Sequence, residues 1–431
     1  MNCVLLYSIL EIHAFFKVLA IVLLAVAFLF YNIKPGADKA SPRKQRILAG
    51  GCELLGAFLV LFPLQAAFTI YVSVTNVFSV SVPILVTNGI LGFLFAFTLG
   101  LNGCIRTAAT SKQLGAALRV CLLLLWWVPI ANLAILGAAL KTAGREYKFL
   151  RGKRLLNEGR RGQQVCKTQY PLLMLHGIFF RDWKHFNYWG RIPKELTDNG
   201  ASVFYGNHNS SLPVEQSAQE IKRRILEVMQ ETGCEKVNII AHSKGGMDAR
   251  YAVSCLGMDA HVASLTTVNT PHRGSALADT LLDKSPEKLV TVVGKNYKKL
   301  FTKLGDDDCD FFGSVNELTT ERCAALNGMM TDREGVLYQS VGSTMNSAAS
   351  YLLPLTLGYT VIKTTAGDGC NDGLVCADSM PWGNYLGLLR SSGKQGISHG
   401  DMIDLAKKNI PDFDVCEFYV KLVSNLKNKG L

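Results

Sequence analysis

Four side chains in this 431-residue chain have types and spacing that can do chemistry: Ser243, His399, and the aspartates Asp368 and Asp372. Ser243 sits in Ala241-His242-Ser243-Lys244-Gly245-Gly246, a G-x-S-x-G pattern with alanine in first place. A serine hydroxyl is a weak nucleophile until a base takes its proton and a third group orients that base. Where such a serine lies on a strand-to-helix turn, the acid and then the histidine follow it along the chain. His399 is the only histidine after His272 and lies near the C-terminus, where that order requires the base. Asp368 and Asp372, both in the Gly-rich stretch AGDGCNDGLV, are the candidate acids, while Asp401 is too close to His399 to orient it. The chemistry would be acyl transfer, whose transition state carries an oxyanion and needs preorganised donors. The backbone N–H groups of Lys244, after the nucleophile, and of Ile178, in His176-Gly177-Ile178, are the expected pair.

These residues need a rigid frame, and the sequence from Tyr170 supplies one. YPLLMLHG, ASVFYG (201–206), KVNIIAH (236–242) and HVASLTTVNT (261–270) read as short apolar strands. Between them, Val214 to about Glu231 has helical periodicity through Ile221, Ile225, Leu226 and Val228, and 247–256 reads as a second helix. Strand–helix alternation with apolar strands predicts a parallel sheet with helices on both faces. The serine then falls on the sharp turn from the third strand into its helix, where small neighbours let the backbones approach.

The first 140 or so residues have a different character. Four apolar stretches, roughly 14–33, 48–72, 82–102 and 117–140, each have about the length needed to cross a bilayer as a helix. A cleaved signal peptide would account only for the first. Residues 1–168 hold 18 Lys/Arg against 5 Asp/Glu, whereas 169–431 hold 27 against 29. The excess of positive charge therefore flanks the apolar stretches and argues against a nucleic-acid surface on the second half. The expected division is a membrane region over 1–142, a basic linker over 143–167 and a soluble domain over 168–431. Four spans would place that domain on the extracytoplasmic side, although the basic residues of 141–167 pull the other way. The twelve cysteines show no metal-ligand spacing and read as scattered thiols.

Taken together, LHGIFF, AHSKGG, VNTPHRGS (268–275), LTTERCAALN (318–327), NDGLV (371–375) and SHGD (398–401) resemble, in this order, the bacterial true lipases of the α/β-hydrolase superfamily. The resemblance covers about 168–425 and implies the α/β-hydrolase fold, here preceded by an α-helical transmembrane bundle. It implies Ser243 as nucleophile, Asp372 as acid, His399 as base, and a lid in the insertion at about 276–317. Members often hold a structural calcium ion near the late histidine. Asp401 matches one ligand position, but 335–367 contains no acidic residue to supply the usual partner.

The reading is a membrane-bound serine hydrolase cleaving lipid esters through an acyl-enzyme, with no cofactor required and calcium as the one candidate ion. Two alternatives keep the same residues. The triad could hand the acyl group to an alcohol or act on a thioester, because a fold does not fix the acceptor. The domain could also be a catalytically silent binding module on a membrane scaffold.

Overall fold

A computed structural model describes residues 2–431 apart from 12, 76–77, 126, 129–130, 179–186, 284–310, 350–352, 366 and 368. The chain forms two compact units, Met1–Gly159 and Arg160–Leu431.

The first unit is helical: α1 (Cys3–Ile9), α2 (Ala14–Ile33), α3 (Arg43–Thr75), α4 (Val82–Thr110), α5 (Ala116–Leu124) and α6 (Ala131–Gly159). Among the described residues three helices, α2, α3 and α4, are long and apolar enough to cross a membrane. The fourth expected span, 117–140, is not one helix: α5 stops at Leu124 and α6 starts at Ala131. Pro129 lies in that interval, and proline lacks the N–H that a continuing helix needs. Helix α6 then runs on through the stretch expected as a linker as far as Gly159.

Small residues let α3 and α4 approach closely. A methyl group at Gly103 would lie 2.8 Å from Leu55, and one at Gly51 would lie 2.7 Å from the Thr107 hydroxyl. Buried polar groups join the helices. Asn88 donates to Asn2 at 2.9 Å. The Glu146 carboxylate on α6 accepts from the Ser111 hydroxyl at 2.5 Å and from the backbone N–H groups of Lys112 and Gln113. It thereby closes the turn between α4 and α5.

The second unit runs β1 (Leu172–Leu175), α7 (Ile192–Asp198), β2 (Val203–Tyr205), α8 (Val214–Thr232), β3 (Val237–His242), α9 (Lys244–Cys255) and β4 (Val262–Val268). Then follow α10 (Ala276–Asp283), α11 (Phe311–Asn316), α12 (Thr320–Met329), β5 (Leu337–Ser343), α13 (Leu353–Thr365), β6 (Asn384–Leu389) and α14 (Val415–Asn428). The six strands form one sheet, all neighbours parallel, in the order β2-β1-β3-β4-β5-β6.

Alternation along the strands builds a core on each face. Leu172, Met174 and Ile240 pack with Trp189, Tyr419 and Val423. Leu173, Leu175, Ile239 and Ala241 pack with Ile221, Ile225 and Val253 of α8 and α9. On α8 the buried positions Val214, Ser217, Ala218, Ile221, Ile225 and Val228 make one helical stripe. Gly233 ends that helix in the left-handed region at φ 69°. Helix α9 begins at Lys244, three residues before its expected start, so the helix opens directly on the serine.

Candidate active site

Ser243 joins β3 to α9 with φ 56° and ψ −134°, a conformation that costs a non-glycine residue on the order of 1–3 kcal/mol. The surroundings hold it there. Its N–H donates to Val268 O on β4 at 3.0 Å, and its carbonyl accepts from Gly246 N at 3.0 Å. The turn tolerates no extra bulk. A Cβ at Gly177 would lie 2.6 Å from that of Ser243, and one at Gly245 would lie 2.5 Å from His176 O. No side chain caps the N-terminus of α9, so the positive end of its dipole faces the serine.

Asp372 and His399 are brought together by two loops beyond the β5 and β6 region. His399 Nδ1 lies 2.6 Å from Asp372 Oδ2, and the His399 N–H donates to Asp372 O at 2.8 Å. Asp372 is fully buried. Its Oδ1 accepts from the N–H groups of Leu374 and Val375, at 2.9 and 2.8 Å. Its Oδ2 also accepts from Asn269 Nδ2 at 2.6 Å, and the same amide donates to the Ser343 hydroxyl at 2.7 Å. The carboxylate is thus fixed at three points and presents one edge to the imidazole. The His399 ring lies 4.4 Å, centroid to centroid, from that of His242, the residue before Ser243. Burial, and then the neighbouring His399, hold His242 well below its usual pKa. Its Nδ1 lies 2.7 Å from the Tyr188 hydroxyl, which accepts from Gly177 N–H at 3.1 Å. Asp368 lies outside the described residues.

Ile178 is buried and follows Gly177 directly after the turn at the end of β1. Lys244 is the first residue of α9, and its side chain is wholly buried. Lys244 Nζ pairs with Asp248 Oδ1 at 2.7 Å and donates to the Ser217 hydroxyl at 3.2 Å. Burial pushes the Asp248 carboxyl up to about 7 against the opposing pull of Lys244.

The Asp401 carboxylate is occupied by its own turn: Oδ2 accepts from the Ser398 N–H at 2.9 Å and hydroxyl at 2.7 Å. Among the described residues no cluster of three or more His, Cys, Asp or Glu could hold a metal ion. Most of the expected lid, 284–310, lies outside the described residues.

The sequence reading missed Asn269 as a carboxylate anchor, although it stands in VNTPHRGS. That segment fastens the acid loop. The Ser275 hydroxyl donates to Leu374 O at 2.6 Å, and the Arg273 N–H donates to the Ser379 hydroxyl at 3.0 Å. Asn269 takes φ 49°, a region asparagine tolerates, and the only local sign in the sequence was an asparagine at the end of an apolar strand.

A serine on a β3–α9 elbow, a parallel six-stranded sheet and an Asp–His pair on later loops give the second unit the α/β-hydrolase fold. A family model described as a PGAP1-like alpha/beta domain matches residues 204–332. A triacylglycerol lipase of Pseudarthrobacter phenanthrenivorans is 32% identical over 173 residues, covering 37% of this chain and 53% of its own. One of Pseudomonas fragi is 27% identical over 300 residues, covering 61% of this chain and 98% of its own. The chain spans about half the length of the first curated relatives it matches. The crystal structure of a Bacillus licheniformis lipase in mature form superimposes with a TM-score of 0.45 at 19% identity, over 60% of this chain and 92% of that one. The sequence relatives named here are triacylglycerol lipases.

Proposed function

We propose that this chain is a membrane-anchored serine hydrolase that cleaves carboxylic esters of lipids. The observation that carries the reading is the buried Asp372–His399 pair beside the elbow of Ser243. In this reading His399 takes the Ser243 proton as the oxygen attacks the ester carbonyl. Asp372, held acceptor-only by its three N–H donors, keeps the imidazole in one tautomer and stabilises the imidazolium. The amides of Ile178 and Lys244 receive the developing oxyanion. His399 returns the proton to the leaving alcohol, and water then resolves the acyl-enzyme by the same steps.

Helices α2, α3 and α4 support a membrane anchor. Basic residues both after α2 and along α6 are placed to flank such an anchor.

The test is hydrolysis of p-nitrophenyl esters of varied chain length, glycerides and phospholipids by the full chain in detergent. A fluorophosphonate probe should label Ser243 and leave Ser243→Ala unlabelled. Absence of both turnover and labelling in the wild type would remove the reading.

A further inference from the structure

A peptide unit is planar and trans, so its carbonyl and its N–H point in opposite directions. The N–H of Ile178 therefore shares a plane with Gly177 O, and the N–H of Lys244 shares one with Ser243 O. Whatever holds those two carbonyls aims the two amides that the proposed reaction uses.

Both carbonyls are held by buried hydroxyls from other elements. The Ser210 hydroxyl, in the loop before α8, donates to Gly177 O at 2.8 Å. The Thr270 hydroxyl, just after β4, donates to Ser243 O at 2.8 Å. Ser210 and Thr270 are 2% and 1% exposed, so water does not compete for these carbonyls. His176 Nδ1 also lies 3.1 Å from Gly177 O. Gly246 N–H donates to Ser243 O as well, but this is the first turn of α9 and leaves the carbonyl room for a second partner.

Gly246 gives an independent sign that the Thr270 contact is selected. It lies outside the G-x-S-x-G pattern and has no positive φ to demand glycine. A Cβ there would overlap the Thr270 hydroxyl and lie 2.8 Å from its methyl group. The second glycine of AHSKGG therefore makes room for Thr270 to reach the back of the nucleophile's own peptide.

We infer that Ser210 and Thr270 are positioning residues, a pair of hydroxyl clamps that fix the two oxyanion peptides from behind. The inference rests on the reading of Ser243 as nucleophile and of the Ile178 and Lys244 amides as oxyanion donors. Neither hydroxyl touches substrate. Each acts on the direction of a donor, so each matters most when the carbonyl oxygen becomes tetrahedral and charged.

The experiment uses the full chain in detergent with a p-nitrophenyl ester and an aryl boronic acid that forms a tetrahedral adduct on serine. Thr270→Val and Ser210→Ala should each lower kcat by roughly ten- to a hundred-fold while KM stays within about twofold, the cost of a small misalignment of donors. Inhibition by the boronic acid should weaken by the same factor as kcat/KM, and Thr270→Ser should restore both. A merely structural role would not tie inhibitor affinity to kcat. Wild-type kcat in both variants, or a rise in KM with kcat unchanged, overturns the clamps, as does Thr270→Ser behaving like Thr270→Val. If Thr270→Val does not fold, Ser210→Ala carries the same test from a different element. Full turnover in Ser243→Ala would instead overturn the underlying nucleophile reading, so the two failures are distinguishable.

Discussion

The two units use buried polar groups for opposite ends. In the first, Asn88 and Glu146 join helices and close turns, while the exposed positions of α2 include Phe15, Phe16, Leu23 and Phe30. In the second, apolar side chains fill both faces of the sheet and several buried polar groups converge on one strand-to-helix turn. If lipid covers the first unit, as proposed, its polar contacts are architecture, because hydrocarbon offers no competing partner. Where water covers the outside, burial of apolar area holds the fold and polar contacts are left for geometry.

Substitutions should separate the two uses. The largest effect is expected at the elbow: Ser243→Ala or His399→Ala should lower kcat by about 10³-fold or more, with the melting temperature maintained. Steady-state turnover and thermal unfolding of the same samples check this. Gly177→Ala should cost about 10²-fold in kcat, because the new methyl must displace Ser243, 2.6 Å away. Equal losses in kcat and in melting temperature would show fold and geometry to be inseparable there.

In the first unit the pattern should reverse. Glu146→Ala leaves the turn at Ser111–Gln113 without its acceptor and should cost about 1–3 kcal/mol of stability with kcat unchanged. A drop in kcat without loss of stability would break the comparison.

The last effect is read as a slope with pH and concerns Asp248, a buried group whose charge serves neither use cleanly. Its carboxyl is raised from 3.8 to about 7 by burial, so the folded chain holds that proton more tightly than the unfolded chain does. Asp248 therefore lowers stability as pH rises between those values, by at most about 1.4 kcal/mol per pH unit. Asp248→Asn should flatten that part of the stability–pH curve, which denaturant unfolding at several pH values would measure. An unchanged slope would mean that Lys244 keeps Asp248 ionised throughout.

Much of the second unit was legible residue by residue. Each strand from β1 to β4 lies within its expected apolar run, because short runs bounded by turn residues have few alternatives. His399 stood out as the one late histidine, whereas the Gly-rich loop offered Asp368 and Asp372 alike, and only the resemblance through NDGLV chose Asp372. Asn269, Ser210 and Thr270 could not, since their roles are contacts to groups 27 to 103 positions away, and spacing along a chain does not encode such contacts. The first unit was legible only in bulk. A hydropathy window over 117–140 averages across Leu124 and Ala131 and misses the interruption between two helices.

The backbone at Ser243 carries a consequence for how such a chain would drift. Glycine reaches φ 56° without penalty, so a glycine there would relieve the junction and remove the proposed nucleophile in one step. Random variants sorted by heat resistance alone would be enriched in inert ones at this site. Only selection for turnover keeps an oxygen on the least comfortable residue of the turn.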